Sequence, residues 1–254
     1  MQKQDRQQKL LEALKNSPAL SVNDMSSLFQ VSPMTIRRDL AELEKSKSIV
    51  RMYGGAFISN KESISPAFQR AEENIDAKER IAAAAAALVH SGDSIILDGG
   101  STVGAMGKYL QHQDDLTVIT PSLYCVQNLR SPNLSVLIPG GVLLQQDSML
   151  IGADCEAYFK NVVADIVFAG ASGIRSGRGI TIVSPFQYSI KKVMISSAKK
   201  VVVLVDHTKF QKDGLNLVAD FCDIDVLITD LPIEDTRTLQ YLKEVGTEVI
   251  YTDD

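Results

Sequence analysis

The sequence has no tryptophan and only three cysteines among its 254 residues. Cys125, Cys155 and Cys222 are far apart and odd in number. They predict reduced thiols in a cytoplasm, and neither a disulfide framework nor a zinc site. No apolar run reaches the length of a membrane span, and the first residues lead directly into a polar helix, so no secretory signal is expected. The length suits two domains or one large one, with a sizeable core.

The chain also lacks an excess of positive charge, since its formal net charge is −5. The charge is unevenly distributed. Up to Ile58, nine basic and six acidic residues give a net +3, which leaves −8 for the remaining chain. A basic module on an acidic body favours a DNA-binding domain joined to a sensor of another ligand.

The segment Val31–Leu40 predicts a short helix with a polar start. Ser32 is a suitable N-cap, because its hydroxyl can accept a hydrogen bond from a first-turn amide, and the proline that follows fits the first helical position. The apolar residues repeat at helical spacing, so Thr35, Arg37 and Arg38 are expected to face outward. Such a helix suits a DNA major groove, although an ordinary surface helix with a solvated charge pair has the same pattern.

A second helix pattern precedes this segment. Ser21 is expected to cap it, and Asp24 stands where a capping box has its acid. A tight connection at residues 30–31 joins the two helices, which is typical of a helix-turn-helix over about residues 20–39. The stretch Ser48–Phe57 then mixes β-forming residues with a glycine pair and predicts a small hairpin, or wing.

These residues resemble those of the DeoR family of bacterial transcriptional regulators. The match comprises Val31-Ser32 with Met34-Thr35-Ile36-Arg37-Arg38-Asp39-Leu40, then Leu43-Glu44, Arg51 and Gly54-Gly55-Ala56. The DNA-contacting residues that follow from the helix pattern and the resemblance are Ser21, Ser32, Met34, Thr35, Arg37, Arg38, Arg51, Tyr53 and Gly54. The chain departs from the family at Lys47, where glycine is usual, so the turn into the wing is expected to differ. Tyr53 stands where the family often has histidine.

Beyond the wing, the sequence predicts a linker and a second domain. The DNA-binding domain is assigned to residues 1–58, the polar linker to 59–75 and the effector-sensing domain to 76–254. A helix is expected over Asp76–His90 because of its alanine content. Short β-branched runs then alternate with helical segments, which favours a mostly parallel α/β sheet. The predicted strands are Ser94–Leu97, Leu116–Thr120, Leu134–Ile138, Asp165–Gly170, Val201–Val205, Val226–Thr229 and Thr247–Tyr251. The predicted helices are Val103–Gln111, Ser122–Leu129, Asp154–Asn161, Pro185–Ala198 and Glu234–Val245.

Ligands of such folds bind at the carboxyl ends of strands. The loop Asp98–Thr102 ends the first predicted strand and opens a helix, whose first amides would bind an anion, although a tight turn with ordinary capping has the same pattern. Lys209 follows the fifth strand and could add a cation, or could equally be a solvated loop lysine. His207 is interpreted as a loop or capping residue, because no serine or carboxylate partner can be assigned to it.

The same loops extend the family resemblance over almost the whole chain. Asp98-Gly-Gly-Ser-Thr, Pro139-Gly-Gly, the Gly152 turn, Lys191-Lys192-x-Met194 and Asp206-x-Thr-Lys-Phe follow the order of the DeoR-family sensor domain. The resemblance implies a fold similar to ribose-5-phosphate isomerases and coenzyme A transferases, used to sense a phosphorylated sugar or related metabolite. The implied effector-binding residues are Asp98, Gly99, Gly100, Ser101, Thr102, Gly140, Gly141, Gly152, Gln187, Lys191 and Lys209. Gln187-Tyr188 replaces a Glu-Ala pair of many members, so the effector is expected to differ in hydroxyl pattern, size or need for phosphate.

The function expected from the sequence is a DNA-binding repressor of a carbohydrate-metabolism operon that is relieved by its effector. Its expected partners are double-stranded operator DNA and a small molecule, with no cofactor and no metal. A sugar-phosphate isomerase-like enzyme is the alternative, but no catalytic set of residues stands out and the N-terminal domain would be unexplained. An RNA-binding regulator is less favoured, because no aromatic stacking motif is evident.

We expect the protein to form a homo-oligomer. A single helix-turn-helix reads few base pairs, so such modules work as symmetric pairs on palindromic half-sites. Sedimentation at micromolar concentration should give a species larger than the 27.7 kDa chain. A monomer that stays monomeric on DNA would contradict this expectation.

Overall fold

The computed structural model describes residues 3–16, 22–45, 49–52, 55–58 and 67–252. The chain divides into two compact units, Met1–Ile64 and Ser65–Asp254. No helix in the described ranges is long and apolar enough to span a membrane. The three cysteines are free thiols, two of them buried.

The first unit consists of three helices and a hairpin. Its elements are α1 (Lys3–Asn16), α2 (Val22–Phe29), α3 (Pro33–Lys45), β1 (Ile49–Met52) and β2 (Gly55–Ile58). The two strands pair antiparallel, with Arg51 opposite Ala56. The helices bury one small core, formed by Leu10, Met25, Ile36, Leu40 and Leu43. The predicted helix-turn-helix and wing are therefore confirmed.

The second unit is an α/β domain. Its helices are α4 (Ala67–Glu72), α5 (Ile75–Ala86), α6 (Ser101–Ala105), α7 (Leu123–Asn128), α8 (Ala153–Lys160), α9 (Tyr188–Ser196) and α10 (Thr236–Val245). Its strands are β3 (Ser94–Leu97), β4 (Leu116–Ile119), β5 (Leu134–Leu137), β6 (Val142–Leu144), β7 (Met149–Ile151), β8 (Ala164–Gly170), β9 (Gly173–Arg175), β10 (Gly179–Ile182), β11 (Ala198–Leu204), β12 (Asn216–Asp220), β13 (Val226–Thr229) and β14 (Glu248–Tyr251). Short 3-10 helices occupy Met106–Lys108, Gln145–Asp147, Pro185–Gln187, His207–Gln211 and Phe221–Asp223.

Seven strands form one parallel sheet in the order β14-β13-β11-β8-β3-β4-β5. The sequence predicted these strands from their continuous apolar runs. Such runs are typical of a parallel sheet, because helices cover both of its faces. Ile95, Phe168 and Val202 are fully buried in its centre. The chain order reverses between β3 and β8, because β4 and β5 extend the sheet on one side and the later strands on the other. Ligands of open parallel sheets bind at such a switch point.

The sequence analysis missed the smaller strands. β9, β10 and β12 form an antiparallel sheet, and β6 pairs with β7 in a hairpin. These strands have three to five residues, too few to show a period, and the pairing of β10 with β12 shifts register between Ile180 and Thr181.

Several predicted helix bounds were also wrong. The predicted helix Asp76–His90 ends at Ala86. The predicted helix Pro185–Ala198 begins as a 3-10 turn and ends at Ser196, so that Ala198 already belongs to β11. Helix α4 lies inside the stretch 59–75 that the sequence predicts as linker, and residues 59–66 lie outside the described residues.

The close packing of the 3-10 helix Met106–Lys108 against α7 yields a stability prediction. A Cβ at Gly107 would lie 2.7 Å from the backbone carbon of Asn128, so Gly107→Ala should destabilise the protein by about 1–3 kcal/mol. Gly100→Ala is the matched control, because its Cβ would meet nothing within 4 Å and its φ of 163° is open to any residue. Urea denaturation should separate the two variants, and equal stabilities would contradict the packing argument.

Candidate recognition helix and effector site

The start of α3 is held by the cap that its sequence predicts. The amide of Thr35 donates to Ser32 Oγ at 3.2 Å, and the two hydroxyl oxygens lie 2.9 Å apart. Arg37 and Arg38 are exposed, as is Met34 with 64% of its surface accessible. The opposite face of α3 is buried in the core. The helix therefore presents a cap, a methionine and two guanidinium groups to solvent, as a recognition helix requires.

Four of the predicted DNA-contacting residues need separate comment. Ser21, Tyr53 and Gly54 lie outside the described residues. The backbone of Arg51 lies in β1, and its side chain is not among those described. Their predicted contacts with DNA remain predictions.

Helix α1 is bonded to the recognition helix α3 through two carboxylates of α3, those of Asp39 and Glu42. Arg6 donates from Nε to Asp39 Oδ2 at 2.5 Å and from Nη2 to Oδ1 at 3.1 Å, and Asp39 is only 1% exposed. This hydrogen-bonded pairing raises the pKa of Arg6. Glu42 accepts from Lys3 at 2.6 Å and from Gln7 at 2.9 Å. Asp39 and Glu42 of α3 are thus both bonded to side chains of α1.

The sequence analysis missed this clamp, although the sequence contains a signal for it. Lys3 and Arg6 are three residues apart, as are Asp39 and Glu42, so each pair shares one helix face. Matched spacing of opposite charges on two helices predicts such a contact, but only once the helices are known to be neighbours.

In the sensor domain, four adjacent strand ends define one edge of the parallel sheet, which we call the carboxyl edge. It comprises Asp98 after β3, Gly170 at the end of β8, Asp206 after β11 and Asp230 after β13. All three aspartates are buried, with at most 2% of their surface exposed. Buried carboxylates need partners, and each of the three is near a basic side chain.

At the switch point, Asp98 forms a buried ion pair with Lys191. Lys191 lies on α9, is 2% exposed, and donates to Asp98 Oδ2 and to the carbonyl of Gly170 at 2.9 Å. The amide of Gly170 donates to the same Asp98 oxygen at 3.0 Å. Two of the predicted effector residues, from distant parts of the sequence, are therefore in direct contact.

The glycine loop after Asp98 is tightly packed at Gly99, but has free space beside Gly100. A Cβ at Gly99 would lie 2.7 Å from Met149 Sδ, so the loop packs against β7, whereas a Cβ at Gly100 would meet nothing. The helix that begins at Ser101 has no side-chain cap. The first amides of a helix have no partner within the helix, and here no N-cap side chain accepts from them.

Lys209 lies beside Asp206, which begins the 3-10 helix as its N-cap. The Lys209 Nζ is 3.6 Å from Asp206 Oδ2, and its side chain is 19% exposed. Asp206 Oδ1 accepts from the amide of Thr208 at 3.1 Å and from its hydroxyl. Burial raises the pKa of Asp206, but Lys209, the Thr208 hydrogen bonds and Lys78 outweigh burial, so the pKa lies below its ordinary value.

Lys78 is a residue of this edge that the sequence analysis missed. It lies in the first turn of α5, is 4% exposed, and donates to the carbonyls of Arg70 and Glu73. Its charge interacts with those of Asp206 and Lys209, and burial lowers its pKa, an effect that Asp206 opposes and Lys209 reinforces. Lys78 lies in an alanine-rich helix, 131 residues before Lys209, and no local pattern shows that the two are neighbours.

The interpretation of His207 as a residue without a carboxylate partner was wrong. Its amide donates to Asp230 Oδ1 at 2.6 Å, and its Nδ1 lies 2.7 Å from Asp230 Oδ2. Asp230 follows β13, 23 residues later in the chain. Neighbouring strand ends bring the two together, which local sequence does not show.

The remaining predicted effector residues lie around α8 and α9. A Cβ at Gly141 would lie 2.7 Å from the carbonyl oxygen of Ile151, and a Cβ at Gly140 would meet nothing within 4 Å. Gly152 has a φ of 101° at the start of α8. Gln187 is buried one turn before Lys191. Their contact with an effector remains a prediction, and the described residues hold no cluster of three potential metal ligands.

Comparison with protein families covers both units. A family model described as the DeoR C-terminal sensor domain matches residues 73–231, and one described as the DeoR-like helix-turn-helix domain matches residues 6–62. The chain belongs to the DeoR family. This DeoR-family protein is therefore a DNA-binding transcriptional regulator with a sensor domain for a small-molecule effector, and not an enzyme.

Individual relatives match over most of their length. The regulator is 35% identical to the HTH-type transcriptional regulator GolR of Listeria innocua, covering 89% of this chain and 90% of that protein. It is 28% identical to the glycerol-3-phosphate regulon repressor of Escherichia coli, covering 91% and 92%. Among solved structures it is similar to ribose 5-phosphate isomerase from Plasmodium falciparum, with a TM-score of 0.38 and 20% identity over 54% of each chain.

The exposed guanidinium groups of α3 yield a prediction about DNA binding. Arg37→Ala and Arg38→Ala should each weaken operator binding about tenfold or more, because a good base contact contributes about 1–3 kcal/mol and a phosphate contact adds affinity for every sequence. Lys9→Ala, which removes an exposed cation from α1, is the matched control. Gel-shift titrations should show the difference, and wild-type affinity in both arginine variants would refute it.

Proposed function

We propose that this regulator is a repressor of a carbohydrate-metabolism operon, and that a phosphorylated sugar or related metabolite releases it from double-stranded operator DNA. The effector binds at the carboxyl edge of the sensor sheet, next to the loop Asp98–Thr102. The observation that carries the proposal is that Asp98 after β3, Lys191 on α9 and Lys209 after β11 all lie at this edge of the sheet.

The chemistry of the edge supports a ligand with an anionic group. The Lys209 ammonium group is partly exposed, and an ammonium group on a flexible stem binds phosphate oxygens as a point charge. The backbone amides after Gly100 have no capping side chain, and as hydrogen-bond donors they would also favour an anionic group. The name of the Escherichia coli relative, a glycerol-3-phosphate regulon repressor, agrees with a phosphorylated effector.

The proposed repressor acts as a homo-oligomer, because two recognition helices on half-sites give the affinity that one small helix lacks. The effector then lowers operator affinity only as far as it binds the DNA-free form more tightly than the DNA-bound form. A variant that has lost only effector binding should therefore still bind operator DNA, whereas a misfolded variant should not.

Lys209→Ala tests the proposal. The variant should bind operator DNA as the wild type does, since the substitution is in the sensor domain, but should need at least about tenfold more effector for release, because a charge-assisted hydrogen bond contributes about 1.5–3 kcal/mol. The measurement is a pair of operator titrations, without and with the effector identified in a thermal-shift screen of sugar phosphates.

Lys212→Ala is the control for this experiment. Lys212 is an exposed lysine three residues later, so it tests for a general effect of removing a positive charge. If Lys209→Ala releases DNA at the wild-type effector concentration, Lys209 is not an effector ligand. If it fails to bind operator DNA without effector, the expectation that a substitution in the sensor domain leaves DNA binding unchanged is wrong.

A further inference from the structure

A group of large apolar side chains is exposed at one end of the parallel sheet, on and after β5 and on the hairpin strand β6. The group comprises Leu137, Ile138, Val142 and Leu143, which are 42% to 62% exposed. The segment 137–143 that contains them cannot span more than about 25 Å. The four side chains therefore fit within one standard protein interface, which covers about 800 Å² on each partner. We call this group the β5–β6 surface.

Charged residues are absent from this part of the sequence. Residues 131–146 contain no Asp, Glu, Lys, Arg or His, whereas 22% of the whole chain is charged. Every other large apolar residue exposed in the described part of the sensor domain has a charged residue within two positions, as Val163 has Asp165 and Leu231 has Asp230. Single exposed apolar residues are ordinary on protein surfaces, but a contiguous uncharged group indicates an interaction site.

Strand β5 is also an unprotected edge of the sheet. Within the described residues it pairs with β4 on one side, and no strand pairs with its other side. The strand at the opposite end of the sheet, β14, begins with the exposed Glu248 and is followed in the sequence by Asp253 and Asp254. Charges on an edge strand discourage pairing with another chain. The β14 edge has this protection, and the β5 edge lacks it.

The distribution of charge favours a second copy of this chain as the partner. A two-fold interface brings the same residues of both copies together, so a charge near the axis would face its own copy. Removing the +3 of residues 1–58 from the −5 of the whole chain leaves −8, so two sensor domains repel each other, and least where charge is absent. DNA and anionic lipid surfaces attract cations, which residues 131–146 lack.

A contact between this surface and its own copy also limits the size of the assembly. If β5 bound a different part of the next molecule, each molecule would leave another β5 edge free and the chains would polymerise. A two-fold contact instead covers the edges of both copies at once. It also brings two DNA-binding units into one assembly, as palindromic half-sites require.

We propose that the β5–β6 surface is an interface between two copies of this chain, in which Leu137, Ile138, Val142 and Leu143 pack around a two-fold axis against the same residues of the second copy. The inference rests on the homo-oligomer of the proposed function and adds the surface that forms it. It is independent of the effector and of the site that binds it.

Val142→Glu tests the interface, because Val142 is the most exposed residue of the surface. Association would bury the two new carboxylates without a partner, so the dissociation constant of the assembly should rise at least about a hundredfold. The measurement is sedimentation of the full-length protein over a range of micromolar concentrations. Where the wild type is fully associated, the variant should have half its mass, which is 27.7 kDa if the wild type is a dimer.

Further variants control for folding and for added charge. Leu137→Glu, on β5 itself, should dissociate the assembly as Val142→Glu does, whereas Val142→Ile keeps the surface apolar and should associate as the wild type does. Val163→Glu is the matched control, because Val163 is 75% exposed and lies outside the surface, so association should be unchanged. If a glutamate variant does not fold, as judged by its melting curve, Val142→Thr replaces it and should raise the dissociation constant about tenfold.

The masses of the wild type and its variants separate this inference from the proposed function. If the wild type associates and the folded variants of Leu137 and Val142 associate as tightly, the inference is refuted while the homo-oligomer stands. If Val163→Glu weakens association equally, added charge explains the effect and the inference is likewise refuted. If the wild type is a monomer at every concentration, the homo-oligomer and this inference are both overturned, and release by an effector is left as proposed.

Discussion

A buried ion pair between Asp98 and Lys191 is the contact on which the organisation of the sensor domain depends. Asp98 ends the first strand of the sheet, Lys191 comes from α9, and Gly170 of β8 bonds to both with its amide and its carbonyl. The contact therefore joins the two halves of the sheet at the point where the strand order reverses. Loss of one partner of such a pair leaves an uncompensated buried charge, which costs about 3–5 kcal/mol.

Ion pairs also connect two helices of the DNA-binding unit, and they leave two arginine side chains of the recognition helix exposed. Arg6 of α1 forms an ion pair with Asp39 of the recognition helix, and Lys3 forms one with Glu42. Arg37 and Arg38 then remain exposed to solvent on another part of that helix. The Arg6–Asp39 pair is almost buried, whereas the Lys3–Glu42 pair is exposed to solvent.

Lys78 shows how the carboxyl edge extends to the start of the sensor domain. It binds the carbonyls of Arg70 and Glu73 at the end of α4 while its charge acts on Asp206 and Lys209. Arg70 in turn donates to the buried Asp147 at 2.9 Å. The first helix of the domain is thus fixed by the same set of charges that surrounds Asp206.

The sequence by itself determined the local features: the cap at Ser32, the core face of α3, all seven strands of the parallel sheet, and the loop after Asp98. These depend on periodicity and capping, which act over a few residues. The tertiary structure alone decided the strand order, the short antiparallel strands, and the pairs Asp98–Lys191, His207–Asp230 and Arg6–Asp39. Partners up to 93 residues apart meet only because neighbouring strands and helices bring them together, and no local pattern records which strands become neighbours.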